Sequence, residues 1–149
     1  ELVLPNDTNN LGNVLGGRVM HLMDICAAMS SYKHARSHVV TASVDNMNFL
    51  APAKKGFILI LKSSVNYVAN SSMEVGVKID AENPFTGEIK HTASAYLTFV
   101  ALDESGKPAS HSYKITTGLL RGEWGYEGII ITDGLEMGGL EIYQKLAKY

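Results

Sequence analysis

The stretch from Pro5 to Asp24 holds the residues best suited to chemistry. Gly16-Gly17 opens a helical run, so unpaired backbone N–H groups gather there at the positive end of the helix dipole. Glycine also lets a ligand carbonyl come close to the backbone. Those are the ingredients of an oxyanion hole for acyl transfer. Asp24 follows two turns later, one carboxylate on an otherwise greasy helix. A buried carboxylate is costly unless it is paired or useful. Asp24 is therefore either a working group or a charge satisfied by His21 or by a neighbouring subunit, and the residues alone leave both open.

Other candidates read more plainly. His21, His34, His38, His91 and His111 lack the spacing of a metal site, so no metal is expected. Cys26 sits two residues past Asp24 on another face and reads as a small core residue. Asp7 and Asp45 read as turn or interface residues, and Met20, Met23 and Met29 as core.

These groups need elements to hold them. Arg18 to about Ala35 predicts one helix, apolar on most of its circumference and hence enclosed on most sides. Its polar members His21, Asp24 and Ser31 fall near one stripe. Strands follow at Val39–Phe49, Phe57–Val68, Ser72–Ala81 and Glu88–Leu102. In the first of them Val40, Ala42 and Val44 alternate with Thr41, Ser43 and Asp45. Asn83-Pro84-Phe85-Thr86-Gly87 reads as a hairpin loop. A helix followed by four long antiparallel strands is an α+β layout, a sheet curled around a central helix.

The 149 residues fit one ordinary domain, with 46% hydrophobic and 19% charged residues. The net charge of −2 gives no overall drive toward nucleic acid or anionic membrane. No apolar run reaches the ~18 residues of a membrane helix, and the first residues show no basic leader. One cysteine excludes an internal disulfide framework. A soluble, cytoplasmic protein is expected, and the missing initiator Met suggests that Glu1 is not the natural first residue. Seven of the 14 glycines lie beyond Pro108, where the composition changes. There a short helix near Tyr113–Leu120, a strand near Ile129–Thr132 and a helix from about Leu140 are expected.

The run Pro5-Asn6-Asp7-Thr8-Asn9 through Met23-Asp24 resembles the hot-dog-fold acyl-CoA thioesterases, in the acyl-CoA hydrolase branch. The resemblance continues through Val39–Asp45, Asn48–Pro52, Val65–Val68, Ser72–Val77 and Thr98–Asp103. It covers about residues 2–108 and implies a hot-dog domain over residues 1–108. It further implies catalysis by Asn9 and Asp24, contributed by different protomers, with the Gly17 N–H at the thioester carbonyl. Gly16, Asn70, Ser71 and Ser72 would bind substrate. The implied partners are acyl-CoA and further copies of the chain, as dimers assembled into a trimer of dimers. No cofactor is implied, since coenzyme A is part of the substrate, which would be cleaved to free fatty acid and CoA.

There are departures. Ala69-Asn70 stands where many relatives carry Gly-Arg, and Arg18 where an aromatic residue is common; Arg36, Lys54, Lys55 and Lys62 are possible substitutes for phosphate contacts. An alternative is a non-catalytic hot-dog module that binds acyl-CoA or holds an oligomer together. The intact Asn9 and Asp24 favour the enzyme. Residues 109–149 read as a foreign extension, because Pro108–Gly138 resembles a fragment of the family-3 glycoside hydrolases. Asp133 matches the nucleophile of that family, but the barrel and the second carboxylate are missing. Trp124 and Tyr126 are expected to anchor this tail.

Overall fold

The computed structural model describes residues 1–109. Helix α1 runs from Gly16 to Ala35, two residues earlier than its apolar periodicity suggests. Leu15 caps it with extended backbone and no side-chain hydrogen bond. At its far end Arg36 takes a left-handed conformation (φ 52°), and Lys33 and His34 place cationic groups in the last turn. Four strands follow, β1 His38–Phe49, β2 Ile58–Val68, β3 Ser72–Glu82 and β4 Ile89–Leu102. They form one antiparallel sheet in the order β1-β4-β3-β2. Each strand starts and ends within one residue of its expected place.

The core explains the arrangement. Met73, Val75, Val77 and Ile79 of β3, with Ala93, Ala95, Leu97, Phe99 and Ala101 of β4, turn one face toward α1. Val19, Met23, Ala27, Ser31 and Ala35 recur every four residues and are the buried line of the helix. All four strands contact α1, which gives the expected sheet curled around a helix.

Two expectations need correction. A single chain does not enclose the helix on most sides: Met20, Ile25, Met29 and Tyr32 are all exposed, Met29 by 60%. One sheet can cover only one side of a helix. Nor do His21, Asp24 and Ser31 form a polar stripe. His21 is exposed and Asp24 half-buried, whereas Ser31 lies in the core line and donates to the Ala27 carbonyl at 2.9 Å.

Strand β1 departs from simple alternation as well. Its pairing with β4 shifts between Thr41 and Ser43 and again between Val44 and Asn46. These bulges re-aim side chains. Thr41 is paired with inward-facing Phe99 and turns to the helix, while Ser43 and Asp45 gather on the other face around Thr98. The three polar residues thus do not share a face. β1 is an edge strand, and most of its residues are exposed.

The Leu102–Pro108 bridge and the Ala109 N–H donating to the Ala101 carbonyl carry the chain past the last strand. The elements expected near Tyr113–Leu120, Ile129–Thr132 and Leu140, with Trp124, Tyr126 and Asp133, lie outside the described residues.

Two outcomes test this packing. Met23→Ala should lower stability by about 2–5 kcal/mol in denaturant titration, because it hollows the helix–sheet seam. Hydrogen bonds from Ser43 and Thr98 hold the Asp45 carboxyl below its usual range. A depressed carboxylate stabilises the fold above its unfolded value and loses that contribution as the pH falls through its folded value. Thr98→Val should therefore be less stable than the parent at neutral pH, and the gap should close in acid unfolding curves.

Candidate functional site

At the start of α1 the N–H groups of Arg18 and Val19 return to the Leu15 carbonyl. Those of Gly16 and Gly17 find no partner among the described residues. A Cβ on Gly17 would meet nothing within 4 Å, and one on Gly16 would only touch Phe49 at 3.7 Å. Neither glycine is demanded by the packing of its own chain. Together they leave an open, positively polarised backbone.

Beside it lies a cleft of about 380 Å³, lined by Asn9, Gly16, Val19, Phe49, Pro52 and Thr92 among others. Asn9 is exposed and fixed by its own loop, with Oδ1 accepting from the N–H groups of Leu11 (3.0 Å) and Asn13 (3.1 Å). Its amide nitrogen is thereby turned to a defined side. Arg18 is engaged with Glu1 at 2.8 Å and Asp7 at 3.2 Å, so it braces the N-terminal segment against the helix.

Asp24 is not at this end. Eight residues of helix separate it from Gly16, about 12 Å of rise. There Thr41 donates from Oγ1 to Asp24 Oδ1 at 2.6 Å, fixing one carboxylate oxygen, and the other has no hydrogen bond among the described residues. Thr41 was not singled out from the sequence, because it read as sharing a face with Ser43 and Asp45, and only the bulges that follow it turn those two away. No hydrogen bond joins His21 to Asp24 among the described residues. Cys26 points elsewhere, toward Ser63 of β2 (3.3 Å).

The β2–β3 turn with Asn70, Ser71 and Ser72 lies at the Asp24 end too. Ser72 pairs with Val100, which in turn pairs with Val40, the neighbour of Thr41. Along β4 the two ends are marked by Ala93 opposite Phe49 and Phe99 opposite Thr41, about 20 Å apart. One chain therefore carries two separate groups of candidates. Asn9 and the free glycine N–H groups occupy one end, and Asp24, Thr41 and Asn70–Ser72 the other.

Comparison with known proteins bears on this arrangement. Residues 11–87 match the model of the Thioesterase superfamily. The chain belongs to that superfamily. It is 45% identical over 106 residues to YkhA of Bacillus subtilis, named an uncharacterized acyl-CoA thioester hydrolase, covering 71% of this chain and 62% of that one. It thus spans about three fifths of the curated bacterial relatives it matches. A solved acyl-CoA hydrolase from Staphylococcus aureus, in complex with butyryl coenzyme A and coenzyme A, is 34% identical with a TM-score of 0.71. The match covers 99% of this chain and 90% of that one. A hexameric hotdog fold thioesterase of Campylobacter jejuni aligns at 28% identity and a TM-score of 0.72, over 78% of this chain and 90% of its own.

Residues 63–149 also match the model of the glycosyl hydrolase family 3 N terminal domain. That match starts earlier than the composition change at Pro108. Its first part is already committed elsewhere, since residues 63–102 build the second half of β2 and all of β3 and β4 of this superfamily member.

The open space at Gly17 predicts that Gly17→Ala keeps its thermal midpoint or gains slightly, since alanine has the better helix propensity. A fall in activity without loss of stability would assign the glycine to close approach by a ligand.

Proposed function

We propose that this superfamily member hydrolyses acyl-CoA thioesters to free acid and CoA. The observation that carries the reading is the 2.6 Å bond that orients the Asp24 carboxylate on the same helix whose first N–H groups are free. The names of the relatives support the substrate class. The thioester carbonyl would point at the N–H groups of Gly16 and Gly17, which meet the oxygen where negative charge develops. Asp24 takes the proton from water as its oxygen bonds to the carbonyl carbon. Collapse of the tetrahedral anion breaks the C–S bond, and the CoA thiolate leaves to take up the proton. Direct attack by Asp24, with an anhydride intermediate, would use the same groups. Asn9 orients the water or the carbonyl through its amide.

A complete site on this reading takes two chains. A two-fold axis beside edge strand β1 sets the Phe49 end of one copy against the Thr41 end of the other. Asn9 of one copy thereby approaches Asp24 of its mate. The exposed Val40, Val44, Met20 and Ile25 supply apolar surface for the contact. Hexamers among the solved relatives support a further step to a trimer of dimers. Asn70, Ser71 and Ser72 would then meet the nucleotide end of coenzyme A. Among the described residues no helix is long and apolar enough to cross a membrane. The lone cysteine and a coenzyme A substrate fit a cytoplasmic setting.

Thiol release from acyl-CoAs of several chain lengths tests the activity. Asp24→Asn should lower kcat by ~10²-fold or more with the fold intact. An unchanged rate would leave a binding module. Asn9→Ala should also be impaired. After subunit exchange, a mixture of the two variants should recover about a quarter of the sites, because only sites built from the two intact contributions work. No recovery would mean sites built within one chain. Light scattering should give a multiple of the single-chain mass, and a monomer at micromolar concentration would refute the shared site.

A further inference from the structure

The face of the sheet turned away from α1 carries a second constellation. Lys62, Lys78 and Ser94 are paired in register across β2, β3 and β4. One step along, Asp80 pairs with His91. His91 and Ser94 are three residues apart and would face opposite sides of a regular strand. The pairing shift between Ile79 and Asp80 leaves Thr92 out of register and brings both onto the outer face. The result is a chain of contacts, with His91 Nδ1 3.1 Å from Asp80 Oδ1 and His91 Nε2 2.8 Å from Ser94 Oγ.

Chemistry fixes the direction of these bonds. Burial pushes the Asp80 carboxyl up, but hydrogen bonds from Lys78 and His91 outweigh it and hold the group below its usual value. At neutral pH it is a carboxylate, which only accepts. Nδ1 therefore donates to it, and in the neutral form of the ring Nε2 offers a lone pair to which Ser94 donates. Hydroxyl to imidazole to carboxylate is the order that activates a serine.

Ser94 also has somewhere to act. It lines a second cleft of about 380 Å³ with Lys62, Ser64, Asn66, Lys78 and Tyr96. Gly76 keeps this cleft shaped, since a Cβ there would come within 2.6 Å of the Asn66 amide nitrogen. Lys62 and Lys78 stand directly opposite each other, a repulsive pair that Asp80 moderates. Positive charge is thus set beside the hydroxyl.

We propose that Ser94, with His91 as its base and Asp80 orienting the ring, is a second nucleophile, independent of Asp24, that takes acyl groups from activated carboxylic esters. Ser94 Oγ bonds to the carbonyl carbon as its proton passes to His91 Nε2. Lys78, the cross-strand neighbour of Ser94, faces the negative charge on the carbonyl oxygen. The C–O bond to the leaving group then breaks, and the departing alkoxide or phenolate takes the proton from His91. Water reverses the sequence and frees the acid.

The test uses the full chain carrying Asp24→Asn, so that the thioester chemistry proposed above contributes nothing, and p-nitrophenyl acetate as probe. Nitrophenolate release with an acetyl adduct on the Ser94 peptide is expected. Adding Ser94→Ala should abolish the adduct, and adding His91→Gln should slow it by ~10²-fold. In the unaltered chain, a fluorophosphonate should modify Ser94. Ser94→Ala alone should leave both thermal unfolding and acyl-CoA hydrolysis unchanged. Absence of any Ser94 adduct with both reagents, or an adduct formed equally fast in folded His91→Gln, would overturn the proposal. Failure of acyl-CoA hydrolysis would bear only on the earlier reading.

Discussion

A single line of side chains, Val19, Met23, Ala27, Ser31 and Ala35, seats α1 on the sheet, and the position of the cleft beside Gly16 follows from that seat. Its partners on β4 include three alanines, Ala93, Ala95 and Ala101, so the helix comes close and the larger Met23, Leu97 and Phe99 fill what is left. Burying each of the large groups is worth about 1.5–3 kcal/mol. Because the helix cannot rotate or slide without breaking this seam, Gly16 is held over the Phe49 end of the sheet and Asp24 over the Thr41 end.

Strand β1 is where fold and function meet. As an edge it exposes backbone groups and apolar side chains such as Val40 and Val44, a hazard for a solitary sheet. Its two bulges leave Thr41 on the helix side with Asp24 and collect Ser43 and Asp45 around Thr98 on the other face. The strand that orients the carboxylate is thus also the one most in need of a partner. On the proposed reading that coupling makes a two-chain site economical: a contact that covered the edge would also bring together the two halves of the chemistry.

The sheet is not a passive wall behind the helix. Alternation along β3 and β4 gives the inner face to alanine, leucine, valine and phenylalanine, and the outer face to Lys78, Asp80, His91 and Ser94. Asp80 is almost fully buried without leaving that outer face, because lysine and histidine side chains fold over it. A bulge at Thr92 turns two residues of one strand into neighbours on one surface. The same device that parts Ser43 and Asp45 from Thr41 thereby aims His91 at Ser94.

Much of this was decided locally. The order of elements and their ends were legible because 3.6- and 2-residue periodicities depend on near neighbours, and turn residues such as Asn83-Pro84 and Gly87 punctuate them. The glycine pair and Asp24 were visible as candidates, since a glycine-opened helix and a lone carboxylate are unusual in any context. Three things were invisible in the sequence. The sheet order places β4, the last strand along the chain, beside β1, a pairing between distant segments that no local pattern encodes. The bulges move Ser43, Asp45 and His91 onto faces that strict alternation denies them, so their partners could not be found by counting. The extent of burial of α1 depended on how many sides a four-stranded sheet covers, and that is a property of the tertiary structure alone.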